Sequence, residues 1–126
     1  MTEDIEDVIA PFVKAALEKK ADNPVALDVR SLTSVADAFI IVSGRSNRQV
    51  SAIGDHIRRN LKKQGIKPLS IEGVKEGHWI LLDYGYVILH VFYEPVREAY
   101  DLEGLWMDAR RIDLKPYMKQ ELHDNE

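Results

Sequence analysis

A continuous apolar run in the first half of the chain sets the strongest limit on its fold. The run Ala38-Phe39-Ile40-Ile41-Val42 is rich in strand-forming residues and ends in Ser43-Gly44. A strand that is apolar at every position, rather than at alternate positions, is typical of the centre of a sheet covered on both faces. The sequence therefore predicts an α/β fold in which helices pack on both sides of a sheet.

The hydrophobic pattern of the remaining chain predicts the other elements. In order, they are helix 4–20, strand 25–29, a helix from about 47 to 64, strands 69–72, 78–83 and 87–93, and a helix from 95 to about 106. Pro11 either kinks the first helix or marks where its regular part starts. Ser46 or Asn47 caps the second helix, Gly65 ends it, and Tyr84-Gly85 turns a hairpin. The result is a mixed five-stranded sheet with flanking helices.

These elements form one predicted domain, residues 1–106. Residues 107–126 are polar, have few β-branched residues and carry Pro116. This composition predicts a C-terminal tail that is irregular or weakly helical.

The composition excludes several classes of site. The chain has no cysteine, which excludes a disulfide scaffold, a Cys-ligated zinc site, an iron–sulfur cluster and a thiol nucleophile. No apolar run approaches the ~20 residues that span a bilayer, and the acidic start is unlike a targeting peptide. A cytoplasmic protein without membrane contact is expected. The net charge of −4 argues against an all-round nucleic-acid coat.

No catalytic, cofactor or metal site is predicted. Ser43-Gly44 before a helix supplies one glycine, whereas a phosphate-binding loop needs more, so a simple tight turn is favoured. Asp83 stands alone at a hairpin end, although magnesium-dependent phosphoryl transfer needs paired carboxylates. None of the four histidines has a partner at metal-ligand spacing. His90, inside a strand, is expected to be a satisfied core or half-buried residue.

Two segments of opposite charge are candidate surfaces. Residues 45–67 hold seven basic residues and one acid, and residues 94–108 hold five acids and one arginine. The basic residues opposite the apolar stripe of the second helix, which we call the basic face, are Arg48, Arg58, Arg59 and Lys62. This face is either an ordinary solvated surface or the contact of an RNA-binding module. A nucleotide-using enzyme is a further alternative.

Six aromatic residues accompany the acidic segment. They are Trp79, Tyr84, Tyr86, Tyr93, Tyr100 and Trp106. Tyrosine and tryptophan are frequent anchors of protein interfaces, but they also fill cores. About half of the six are expected in the core, with Trp79, Tyr100 and Trp106 shared with a partner.

An ordered series of motifs between about residues 4 and 106 resembles the ribosomal silencing factor family, also called Iojap-like. The motifs are Ala26-Leu27-Asp28-Val29, Ala36-Asp37-Ala38-Phe39-Ile40-Ile41-Val42-Ser43-Gly44-Arg45-Ser46, Gln49-Val50-Ser51-Ala52-Ile53, Glu72-Gly73, His78-Trp79-Ile80-Leu81-Leu82-Asp83-Tyr84-Gly85, His90-Val91-Phe92 and Arg97-Glu98-Ala99-Tyr100-Asp101-Leu102-Glu103-Gly104-Leu105-Trp106. The tail after Trp106 extends beyond the core of the family as this resemblance defines it.

The resemblance implies a nucleotidyltransferase-like fold that lacks the catalytic carboxylates. It implies binding to the large ribosomal subunit through ribosomal protein L-fourteen, which sterically blocks joining of the small subunit and lowers translation in starvation or stationary phase. Homodimers occur in the family, and the basic face is a candidate for a secondary contact with ribosomal RNA. The positions that match the family's partner surface are Trp79, Leu81, Asp83, Tyr100, Leu102, Glu103, Leu105 and Trp106.

Overall fold

The apolar run forms an inner strand of a six-stranded sheet. The computed structural model describes residues 4–118. Its elements are α1 (Ile5–Glu18), β1 (Asp22–Asp28), β2 (Ala38–Gly44), α2 (Asn47–Lys63), β3 (Ser70–Glu72), β4 (Trp79–Asp83), β5 (Val87–Tyr93), α3 (Glu94–Tyr100), α4 (Leu102–Leu105) and β6 (Arg110–Ile112). The strand order is β3-β4-β5-β2-β1-β6. The β2/β5 pair is parallel and every other pair is antiparallel.

Both faces of the sheet are covered, as the pattern of β2 predicts. Every residue of β2 is buried. Ile40 and Val42 enter a core that also holds the apolar stripes of α1 and α2, whereas Phe39 and Ile41 enter a second core on the opposite face. Side chains from α3 and α4, such as Val96 and Leu102, pack on this second core. The mixed α/β architecture is therefore confirmed.

The predicted number of strands is wrong, because residues 110–112 add β6 beside β1 at the sheet edge. Ile112 is buried, while the guanidinium of Arg110 donates a hydrogen bond to Asp28 at 3.3 Å. A three-residue strand with two arginines shows no alternation that a sequence pattern could detect. Its charges also protect the sheet edge from pairing with another chain. The prediction of an irregular segment thus fails at β6, and residues 119–126 lie outside the described residues.

The helix predicted from 95 to about 106 is divided at Asp101. This residue adopts a left-handed conformation (φ 47°), which ends α3. Its carboxylate then caps α4 by accepting a hydrogen bond from the Gly104 N–H at 3.2 Å. The turn brings Trp106 back over the sheet, where its ring lies 5.0 Å from that of Phe39.

Several local features predicted from the sequence are present in the structure. Ser46 caps α2 by accepting a hydrogen bond from the Gln49 N–H, and Gly65 follows the helix with φ +80°. Pro11 lies inside α1, so the helix does not begin there. The largest shift of a strand boundary is at the start of β1, which begins at Asp22 rather than Val25, and a register irregularity accommodates the residues before Val25.

Candidate partner-binding surface

All eight residues that the resemblance assigns to a partner surface lie on the sheet side that carries α3 and α4. Trp79, Leu81 and Asp83 alternate along β4 and are each partly exposed. Tyr100 ends α3, and the other four lie in or directly after α4. We define the aromatic surface as their apolar members together with the adjacent methionine, namely Trp79, Leu81, Tyr100, Leu102, Leu105, Trp106 and Met107.

Aromatic packing holds the two tryptophans against the second core. The Trp79 indole stacks on Phe92 with ring centroids 4.8 Å apart, and its centroid also lies 4.8 Å from that of Tyr100. Trp106 meets Phe39 edge to face. Pairs with this geometry add stabilisation beyond simple area burial. Both tryptophans are therefore anchored while remaining partly open to solvent.

Large apolar side chains are exposed around these anchors. Leu105 is 76% exposed, Tyr100 60% and Met107 79%. An apolar group of this kind, rimmed by charge, is typical of a protein–protein contact. Among the six aromatic residues, Tyr84 is buried, whereas Trp79, Tyr93 and Trp106 are partly buried and pack against the two cores.

A buried arginine, which the sequence reading did not single out, holds α3 and α4 to the sheet. Arg97 is 8% exposed and donates a hydrogen bond to the Ser43 hydroxyl at 2.6 Å. It also donates to both carboxylate oxygens of Glu103, at 2.9 and 3.2 Å. A bidentate arginine–carboxylate pair fixes relative orientation as well as adding energy. Glu103 therefore positions α4, and its carboxylate is already engaged within the molecule.

An open groove of about 440 Å³ lies beside this network. Carboxylates dominate its lining, which includes Glu94, Glu98, Asp101 and Glu103 against the guanidinium groups of Arg97 and Arg111. The Arg111 guanidinium lies 3.9 Å from Glu103. With four carboxylates against two guanidinium groups, the lining of the groove carries a net negative charge next to the aromatic surface.

His90 lies beneath Trp79 in the second core. It is 6% exposed, and its Nδ1 accepts a hydrogen bond from the Trp79 indole N–H at 3.1 Å. The expectation of a satisfied, buried histidine is confirmed. Its pairing with Trp79 had no signal in the sequence, since the two residues lie on different strands.

Burial of His90 predicts a pH-dependent stability. Burial lowers the pKa of His90 from 6.5 to about 4, because the charged imidazolium is desolvated. Between these two values the unfolded chain binds more protons, so the free energy of unfolding falls as the pH drops from 6.5 to 4, by up to about 3 kcal/mol. Urea unfolding at pH 7 and pH 4.5 should show a smaller loss for His90→Asn than for the parent chain.

Asp28 titrates at a lower pH than His90, so the two contributions to stability can be measured separately. The pKa of Asp28 is lowered to about 2, and the largest cause is a hydrogen bond from the Arg30 side chain. A carboxylate with a lowered pKa loses its stabilising contribution only below its ordinary value of 3.8. Equal losses in the parent chain and His90→Asn above pH 4.5 would contradict the assignment to His90.

The basic face lies on the other side of the sheet from the aromatic surface. Arg48, Arg59 and Lys62 project from the side of α2 opposite its buried stripe. Arg58, which the sequence also places on that side, is instead partly buried at the flank of the helix, where it lines a small pocket with Ile71 and Ile80. Asp55 forms ion pairs with Arg58 at 2.9 Å and with Arg59 at 3.0 Å. These pairs, with the Arg58 hydrogen bond as the largest cause, lower the pKa of Asp55. Part of the positive charge of this face is thus already compensated.

Residues 4–118 contain no cluster of three or more histidines and carboxylates close enough together to hold a metal ion. None of their helices combines the length and apolarity required to cross a bilayer.

Sequence and structure comparisons place this arrangement in a known group. The family model described as ribosomal silencing factor during starvation matches residues 2–126 and so includes the C-terminal segment that the resemblance left outside the family's core. The ribosomal silencing factor RsfS of Bacillus subtilis is 41% identical over 103 residues, covering 82% of this chain and 87% of that protein. RsfS of Halalkalibacterium halodurans is 36% identical over 110 residues, covering 87% and 94%.

A solved structure supports the same relationship. The crystal structure of a protein from Chromobacterium violaceum matches with a TM-score of 0.78 at 35% identity, covering 82% of this chain and 87% of that chain. Family match, sequence identity and fold agree over most of the length. The chain belongs to the ribosomal silencing factor family.

Proposed function

We propose that this protein binds the large ribosomal subunit through ribosomal protein L-fourteen and sterically blocks association with the small subunit. Translation in the cytoplasm would thereby be repressed during starvation or stationary phase. The observation that carries the proposal is the aromatic surface, where exposed Leu105, Tyr100 and Met107 surround two half-buried tryptophans. Family membership supplies the ribosome as the target.

The chemistry of the surface suits a basic ribosomal protein. Tryptophan and tyrosine anchors give a desolvated centre, and the neighbouring acidic groove favours approach of a positively charged partner. A standard interface of ~800 Å² per partner is within the reach of a chain of this size. Blocking by occupancy needs neither turnover nor a cofactor, in keeping with a nucleotidyltransferase-like scaffold that would have lost its catalytic carboxylates.

The test combines binding with subunit joining. Purified large subunits should retain the protein in a pull-down, and preincubation with excess protein should reduce the fraction that joins added small subunits. Retention without any effect on joining would contradict the blocking mechanism. Absence of retention would contradict the proposed partner.

An RNA-binding module that uses the basic face is the second candidate. Arg48 and Lys62 are exposed there, and the face lies away from the aromatic surface, so both could be occupied together. Phosphate contacts would make affinity fall steeply with salt. Filter binding to naked ribosomal RNA across a salt series would favour this candidate if binding were tight and salt-sensitive.

A second copy of this chain is another occupant that the aromatic surface could accept. Sedimentation equilibrium of the free protein would show a dimer in that case. If Leu105→Arg also dissociated that dimer, the same surface would serve both partners, and the dimer would have to separate before docking.

A further inference from the structure

We propose that His90 is a positioning residue that holds the Trp79 indole in the conformation met by the partner. The inference rests on the proposed function, since Trp79 is taken to be part of the contact. If this is correct, His90 contributes measurably to the binding affinity although its buried side chain does not touch the partner.

The hydrogen bond between the two residues fixes the state of the histidine. An indole N–H can only donate, so the His90 Nδ1 that lies 3.1 Å away must be unprotonated and accept. The proton of the neutral ring is then carried by Nε2. Burial of the ring, which opposes the charged form, acts in the same direction.

His90 is itself rigidly held, which makes it a useful acceptor. It lies inside β5, paired with Ile41 of β2 on one side and Leu81 of β4 on the other. Its ring meets Phe39 edge to face at 5.7 Å and lies parallel to Phe92 at 6.1 Å. Because His90 is fixed on a central strand, its hydrogen bond also restricts the conformation of the Trp79 side chain.

Stacking alone leaves one freedom of Trp79 undetermined. The contacts with Phe92 and Tyr100 set the distance of the indole from its neighbours, but they also allow the ring turned over by a half-turn about χ2, which would point its N–H in another direction. The directional bond to His90 selects one orientation. A large side chain that is ordered before binding avoids the entropy cost of being ordered by the partner.

The test compares two substitutions that differ in one property. His90→Leu keeps an apolar core of similar size but removes the acceptor, whereas His90→Asn places an amide oxygen close to the position of Nδ1. We expect His90→Leu to weaken co-sedimentation with purified large subunits about tenfold and His90→Asn to stay within about threefold of the parent chain. Circular dichroism and thermal unfolding establish that both variants are folded before affinities are compared.

A second measurement reads the conformation of Trp79 without any ribosome. The chain has two tryptophans, so Trp106→Phe leaves a single indole N–H signal in the proton–nitrogen spectrum. That signal should exchange slowly with solvent in the Trp106→Phe chain, quickly after adding His90→Leu, and slowly again with His90→Asn.

The two measurements separate the possible failures. If the parent chain did not bind large subunits, the proposed function would be overturned. The exchange rates of the indole N–H would still decide whether His90 orders Trp79. Full affinity of His90→Leu, or equal weakening by the leucine and asparagine variants, would overturn the positioning role. Rapid indole exchange in the Trp106→Phe chain would overturn it as well.

Discussion

Leu105→Arg is expected to weaken binding to large ribosomal subunits by at least about 30-fold, corresponding to about 2 kcal/mol. Leu105 is 76% exposed in α4, so the substitution removes little packing from the free protein. In the complex it would place a positive charge in the apolar centre of the contact and against a basic partner. Desolvation and like-charge repulsion then act together. Co-sedimentation measures the affinity, and the block on subunit joining should be lost in parallel.

Leu69→Arg provides a matched control for this prediction. Leu69 is also 76% exposed, so both variants gain the same charge at an equally open leucine. It precedes β3 and has the same strand parity as Ile71, which packs on the core formed with α1 and α2. Leu69→Arg should therefore bind like the parent chain. Equal losses in both variants would indicate a general charge effect, and no loss in Leu105→Arg would remove the aromatic surface from the contact.

Elements with strong local signals were predictable from the sequence. The uninterrupted apolar run of β2 requires cover on both faces, and the caps of α2 are set by Ser46 and Gly65 at its two ends. The hairpin between β4 and β5 follows from Gly85, which adopts φ +89°. Each of these signals depends on residues within one turn or one strand, so no tertiary information is needed.

The misplaced elements depend on contacts between distant segments. β6 exists because Ile112 is paired opposite Ala26 of β1, and three residues are too few for a periodic pattern. The break at Asp101 requires a left-handed aspartate, a conformation that an acid within a helical pattern does not reveal. In both cases, the tertiary arrangement overrides a weak local preference.

The candidate site shows the same division. The eight surface positions came from the resemblance, which gives their places along the chain but not the approach of β4 to α3 and α4 that brings them to one side of the sheet. The parts that hold them in place are long-range, since Arg97 bonds to Ser43 across 54 sequence positions and Trp79 to His90 across neighbouring strands. Arg97 carried one usable signal, as the single base among five acids.

Gly73→Ala is expected to lower the free energy of unfolding by about 3 kcal/mol or more, and the melting temperature by about 10 °C. Gly73 follows β3 with φ +82°, and a Cβ atom there would lie 1.9 Å from the carbonyl oxygen of Trp79. Because that obstacle is backbone, relief requires β4 to move at its first residue. The strain of a left-handed alanine adds to the cost.

Gly65→Ala separates the two contributions to this loss. Gly65 has nearly the same φ of +80°, but a Cβ atom there would meet nothing within 4 Å. It should cost only the left-handed strain, about 1 kcal/mol, and thermal and urea unfolding of both variants measure the difference. Equal losses would mean that the approach of Gly73 to the Trp79 carbonyl is not tight.

A displaced β4 also moves Trp79. A Gly73→Ala variant that remains folded should therefore bind large subunits less well than Gly65→Ala, which connects a turn glycine to the aromatic surface.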